Sequence, residues 1–177
     1  MVVATKNTSR RRSSRPRDAI ALLKADHRQV SGWFADFKKA SSNSRKQTLA
    51  KSICQALRVH TTIEEEIFYP AFWSATGDKS LHHEAEIEHQ GAKNLIGEIE
   101  KSGPADDYFD ARVTVLSEMI KHHVKEEEQP GGMFAEARRA NMDLTELGEQ
   151  LAQRKSELQS QSVLGALVER LNEPLSR

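Results

Sequence analysis

The chain is poor in most of the features that assign chemistry from composition alone. It has one cysteine, Cys54, in 177 residues. A lone thiol makes no internal disulfide and no thiolate cluster, which excludes a disulfide scaffold, an iron–sulfur centre and a cysteine-rich zinc site. A reducing cytoplasm is the expected compartment. Neither sign of charge prevails, with Lys plus Arg and Asp plus Glu at 26 each, so the bulk composition gives no reason to expect a nucleic-acid binder. No apolar run approaches the length of a membrane span, and no apolar h-region follows the early arginines. Neither a spanning helix nor a secretory signal is therefore expected. A phosphate loop, a nucleophile elbow and a nucleotide fingerprint are absent too, as is the alternating pattern of strands.

What is present is helical patterning. The length suits one domain with a substantial core. Residues 1–17 carry Lys6, Arg10, Arg11, Arg12, Arg15 and Arg17 without an acid, which predicts a disordered basic tail and the one place where nucleic acid would be met. Ile20, Leu23, His27, Val30, Phe34 and Phe37 then step at three and four, the period of a helix that buries one stripe. A second stripe runs Leu49, Ile53, Leu57, His60, Glu64 and Ile67 and is predicted to close at Pro70, with a linker over 70–80. A third reads His82, Glu86, His89, Ala92, Ile96 and Ile99. The fourth, starting near Asp106 or Asp107, reads Val113, Leu116, Ile120, His123 and Glu127 before Pro130-Gly131-Gly132. The class is all-α: an antiparallel up-down four-helix bundle over residues 18–140, with additional C-terminal helices in an amphipathic extension over 141–177. Those last segments either cap the bundle or form a partner interface, for which a homodimer is one candidate.

Polar residues on the buried stripes carry the functional signal. His27 is followed by His60-Thr-Thr-Ile-Glu64, and His89 by His123-Val-Lys-Glu-Glu127, at nearly equal gaps of 33 and 34 residues. Residues four apart lie only ~40° apart around a helix, whereas i+5 lies ~140° away. Glu64 and Glu127 are thereby selected from the acidic runs 64–66 and 126–128, with Glu128 as the rival to Glu127. A Glu on a stripe of Leu and Ile is costly to bury unless it is paired or coordinated. Two His-x-x-x-Glu pairs and two further core-face histidines, brought together, make a pocket for two metal ions held by nitrogen and oxygen, with the carboxylates bridging. Glu86, in the chain's only Glu-x-x-His with His89, is a further candidate ligand, or else orients one.

Lys-Ala-Asp-His27, His60-Thr-Thr-Ile-Glu64-Glu-Glu-Ile-Phe-Tyr-Pro70, Glu-Ala-Glu-Ile-Glu-His89 and His123-Val-Lys-Glu-Glu-Glu together resemble the bacterial hemerythrin-like family with the HHE cation-binding domain. The similarity spans about residues 18–140. It implies a four-helix bundle around two iron ions (Fe2+/Fe3+), carboxylate- and oxo- or hydroxo-bridged, with O2, peroxide or another small diatomic as the partner. The implied ligands are His27, His60, Glu64, His89, His123 and Glu127 or Glu128. One departure stands out: invertebrate oxygen carriers have a second His four residues before the position of His89, where this chain has Ala85. Glu86, His82, a tyrosine or water could fill the gap. The leading expectation is a metal-binding protein for sensing, storage or detoxification, with peroxide decomposition or iron oxidation as the candidate activities. The alternatives are a metal-dependent regulatory module acting through the C-terminal helices and a ferritin-like iron oxidase.

Overall fold

The computed structural model describes the backbone of residues 18–172 and side chains through Leu164. The predicted basic tail, and the side chains of Leu167, Val168 and Leu171, lie outside the described residues. The described chain is helical throughout its regular structure: α1 (Ala19–Lys39), α2 (Asn43–Ile63), a π-helical segment (Glu64–Phe68), α3 (Tyr69–Thr76), α4 (Lys79–Lys101), α5 (Phe109–Glu128), α6 (Met133–Arg139) and α7 (Leu144–Asn172). None of these helices is long and apolar enough to cross a membrane.

Local chemistry sets the helix starts. The Asp18 carboxylate accepts from the backbone N–H of Ala21 at 2.7 Å and opens α1, Ser42 accepts from Arg45 N–H and opens α2, and Asp78 accepts from Ser80 and Leu81 to open α4. In each case the cap satisfies an N–H that has no partner inside the helix. Gly77, at φ 69°, takes the left-handed conformation that ends α3 and lets α4 turn back.

The four helices of the bundle, α1, α2, α4 and α5, pack as two antiparallel pairs. Across α1 and α2 His27 meets His60, while Lys46, near the start of α2, lies over the Phe37 ring near the end of α1. Across α4 and α5, Arg112 reaches Glu98 while His89 meets His123. Buried residues form two apolar clusters. One holds Val30, Phe34, Ile53, Leu57, Ile96, Phe109 and Leu116. The other gathers Ile20, Leu23, Ile63, Phe68, Tyr69 and Phe72 with Met133 and Phe134 of α6 and Leu147 and Leu151 of α7. Burying a side chain of this size contributes about 1.5–3 kcal/mol. Residues His27, His60, Glu64, His89, His123 and Glu127 belong to neither cluster and are themselves buried.

Two expectations about elements are corrected. The second helix does not stop at Pro70: it widens into a π-turn at Glu64–Phe68 and continues to Thr76. The wider turn accommodates proline, which has no N–H to donate and whose ring crowds the carbonyl four residues back. The fourth helix begins at Phe109 rather than Asp106 or Asp107, because residues 103–108 form turns closed by Gly103 O and Asp106 O. The C-terminal extension is largely one helix, α7, in which Leu147 and Leu151 pack on the bundle while Val163 and Leu164 are exposed.

Candidate metal centre

Four imidazoles and two carboxylates converge at mid-bundle. His27 Nε2 and His60 Nε2 are 3.0 Å apart, and His89 Nε2 and His123 Nε2 are 3.1 Å apart. Glu64 lies between the pairs, with Oε1 at 3.2 Å from His60 Nε2 and Oε2 at 3.4 Å from His89 Nε2. Glu127 does the same from the other side: its Oε2 is 3.3 Å from His27 Nε2 and 3.7 Å from His123 Nε2. Two donor sets result, His27, His60, Glu64 and Glu127 in one and Glu64, His89 and His123 in the other. Glu64 is common to both, and Glu127 contacts a histidine of each.

The outer edges of the rings decide what the inner edges can do. His27 Nδ1 donates to Glu128 Oε1 at 2.8 Å, His89 Nδ1 to Glu65 Oε1 at 2.9 Å and His123 Nδ1 to Glu88 Oε2 at 2.8 Å. A carboxylate only accepts, so each Nδ1 carries the proton and each neutral ring turns a lone pair inward at Nε2. Two inward lone pairs 3.1 Å apart, on His89 and His123, repel unless a proton or a cation sits between them. Both oxygens of Glu64 and Oε2 of Glu127 are buried without a hydrogen-bond partner, although imidazole nitrogens stand close by. They share a focus rather than pair with one another. Donors ~2.1 Å from a common ion, at right angles, are about 3.0 Å apart, which is the spacing found. The residues present fit a pair of metal ions.

Without ions the cluster must share protons. Burial and the neighbouring Glu64 charge push the Glu127 carboxyl up to about 8. Glu64 is held far below the ordinary carboxylate range: the charges of His60, His89 and His123 overcome its burial. Burial and His60 drive His27 down to about 4. Against their burial, His60 is carried to about 10 chiefly by Glu64, and His123 to about 9 chiefly by Glu127.

Six of the seven residues singled out in the sequence come together here. Glu86 does not. Its side chain is exposed and faces His82, at 3.6 Å from Nε2, because three residues before His89 is ~60° off the ligand face. His82 stacks instead on Trp73. The place near His89 is taken by Tyr69, whose hydroxyl lies 3.2 Å from His89 Nε2 and donates to Glu127 Oε1 at 3.2 Å. Burial and the charges of Glu64 and Glu127 hold this phenol well above its usual range. Glu65, which the i+4 rule sets aside, and Glu128, the rival to Glu127, are with Glu88 the outer partners described above. A signal for them exists in the chain: each acid flanks a converging residue, in Glu64-Glu65, Glu88-His89 and Glu127-Glu128, and serves a histidine on another helix.

Residues 18–130 match the family described as Hemerythrin HHE cation binding domain. The chain belongs to that family and is a metal-binding helical protein. Its fold is similar to that of a Hemerythrin HHE cation binding domain-containing protein from Mycobacterium kansasii, with a TM-score of 0.69 at 22% identity over 84% of this chain and 91% of that one. It is also 28% identical over 107 residues to a DNA nickase from Nostoc sp., covering 60% of this chain and spanning only 30% of the nickase.

Proposed function

We propose that the chain is a non-haem di-iron protein that binds or reacts with O2, peroxide or a similar small diatomic. The observation that carries the reading is that Glu64 and Glu127 each face a histidine of both pairs, the placement of carboxylates that bridge two ions. Six nitrogen and oxygen residues exceed what one tetrahedral zinc needs, and imidazole with carboxylate suits iron. Bound iron would supply a redox couple open to small oxidants. His27 and His60 would hold one ion, His89 and His123 the other.

The rest follows from this chain's own residues. A cavity of about 10 Å³ lies against the four imidazoles and is walled by Val30, Leu57, Ile120 and Val124. It has room for roughly one water-sized molecule. Tyr69 brings an oxygen to the His89 side, where the missing histidine of the oxygen carriers would have brought a nitrogen. An oxygen donor favours the oxidised metal, so oxidation in air and peroxide turnover are favoured over reversible carriage. Nicking of DNA is no part of this proposal. The likeness covers 30% of the nickase, and the centre is buried inside the bundle, where a duplex cannot reach it.

Stopped-flow absorbance on the reduced, iron-loaded protein tests the reading. Mixing with O2 or peroxide should give irreversible oxidation, with peroxide consumed beyond one equivalent. A spectrum that reverts when O2 is removed would restore oxygen carriage, and no spectral change with either oxidant would remove the redox role.

A further inference from the structure

The two halves of the centre are related by a pattern that α7 breaks. Glu88, just before His89, serves His123, the second histidine of its own hairpin. By the same rule Asp26, just before His27, faces His60. Glu65 and Glu128, each just after Glu64 or Glu127, serve the first histidine of the opposite hairpin. Three of these four outer contacts are 2.8–2.9 Å. The fourth is not made: Asp26 Oδ2 stops 3.6 Å from His60 Nδ1, beyond hydrogen-bond reach, and that nitrogen is buried without a partner.

The reason lies on the C-terminal helix. Lys155 Nζ takes Asp26 Oδ1, and the placement of Lys155 is fixed from both sides. Leu151 is fully buried and Leu158 packs against the core, and Ser162 accepts from Gln55 at 2.8 Å. An ammonium on Asp26 both draws the carboxylate away from His60 and neutralises the charge that would strengthen this imidazole as a donor. Outer partners of ligating histidines are worth roughly 10–100-fold in metal affinity.

We propose that Lys155 is a positioning residue: by holding Asp26 it leaves His60 without an outer hydrogen bond, and so makes the ion of the His27–His60 pair the more weakly held of the two. Through this contact α7 sets an inequality between the two sites in the outer hydrogen bonds of their histidines. The inference rests on the two-ion reading above.

The test uses the full chain loaded anaerobically with Fe2+, with ferrozine as chromophoric chelator and release followed by absorbance. The parent should release iron in two phases of equal amplitude. Lys155→Met should slow the fast phase by about ten-fold, while Lys155→Arg keeps it. Arg154→Met, which breaks only the exposed pair with Glu66 and leaves the buried Leu151 to seat α7, should leave both rates at parental values. In an Asp26→Asn background Lys155→Met should no longer slow release, since no carboxylate remains to be freed. A fast phase unchanged or accelerated in Lys155→Met overturns this proposal while leaving the two-ion reading intact. Binding of a single ion by the parent overturns both.

Discussion

The backbone N–H of Tyr69 donates to the carbonyl of Glu64, five residues earlier, closing a π-turn. In a regular α-helix these residues would lie ~140° apart. The extra residue in the turn brings them back to one face, so Glu64 reaches His60 and His89 while the Tyr69 hydroxyl reaches His89 and Glu127. π-Turns of this kind recur at functional sites because they redirect side chains without ending a helix.

That relationship makes Tyr69 a sharper test than Glu86. Tyr69→Phe preserves the buried ring and should retain both ions, but it removes the oxygen beside His89. Visible absorption of the iron-loaded protein should change, and air oxidation of the reduced form should slow several-fold. Glu86→Gln should leave spectrum and rate at parental values. If the two variants behave alike, the phenol plays no part in the centre.

The outer carboxylates should rank between the shared acids and the surface acids. Removing Glu65, Glu88 or Glu128 as the Gln variant frees one imidazole to turn and should weaken metal binding roughly 10–100-fold. Glu66→Gln, which only breaks the exposed pair with Arg154, should not alter affinity. Competitive titration against a chelator of known affinity reads the order. An equal effect for Glu66 and Glu65 would contradict it.

Acidity should separate the loaded and metal-free proteins in a defined direction. In the metal-free fold Glu127, His123 and His60 are raised to about 8, 9 and 10. Their stabilisation is complete below their ordinary values and is lost as the pH rises through these folded ones. His27, lowered to about 4, stabilises above its ordinary value, and this contribution is lost as the pH falls toward 4. Thermal melts of the metal-free protein should therefore weaken in alkali, where bound ions hold the loaded protein steady. In acid, protons displace the ions and the difference between the two forms should shrink. Parallel melting curves across the range would place the cluster outside the folding equilibrium.

The turn after α5 should be intolerant of any side chain. A Cβ on Gly132 would lie 2.2 Å from Glu126 O and 2.9 Å from Glu127 O, so backbone must shift in the stretch that carries Glu127 and Glu128. Gly132→Ala should lower the melting temperature by several degrees and reduce metal content. Gly97→Ala, at a site where a Cβ meets nothing within 4 Å, serves as the control and should do neither.

Much of this arrangement was legible in the chain because helical periodicity and ligand spacing are the same geometry. The stripe containing His27 is buried from Ile20 to Phe37, and the i+4 rule chose Glu64 over Glu65 and Glu127 over Glu128 as the acids that reach the centre. What escaped was whatever depended on a departure from the regular helix or on contact between helices. Tyr69 faces the centre only because of the π-turn, which a fixed angle per residue does not anticipate. Glu65, Glu88 and Glu128 point away from their own helix's histidine and toward one on another helix, a relation set by packing. Asp26 belongs to the Lys-Ala-Asp-His27 motif, but its engagement by Lys155, 129 residues away, has no local signature.

The most direct measurement of the central claim is metal content after anaerobic iron loading and gel filtration, made on the parent and on Glu64→Ala. Because Glu64 faces both histidine pairs, the parent should carry two iron ions per chain and the variant should lose both rather than one. A parent that holds one zinc in preference to iron, or a Glu64→Ala variant that keeps one ion at full occupancy, would contradict a centre built on shared carboxylates.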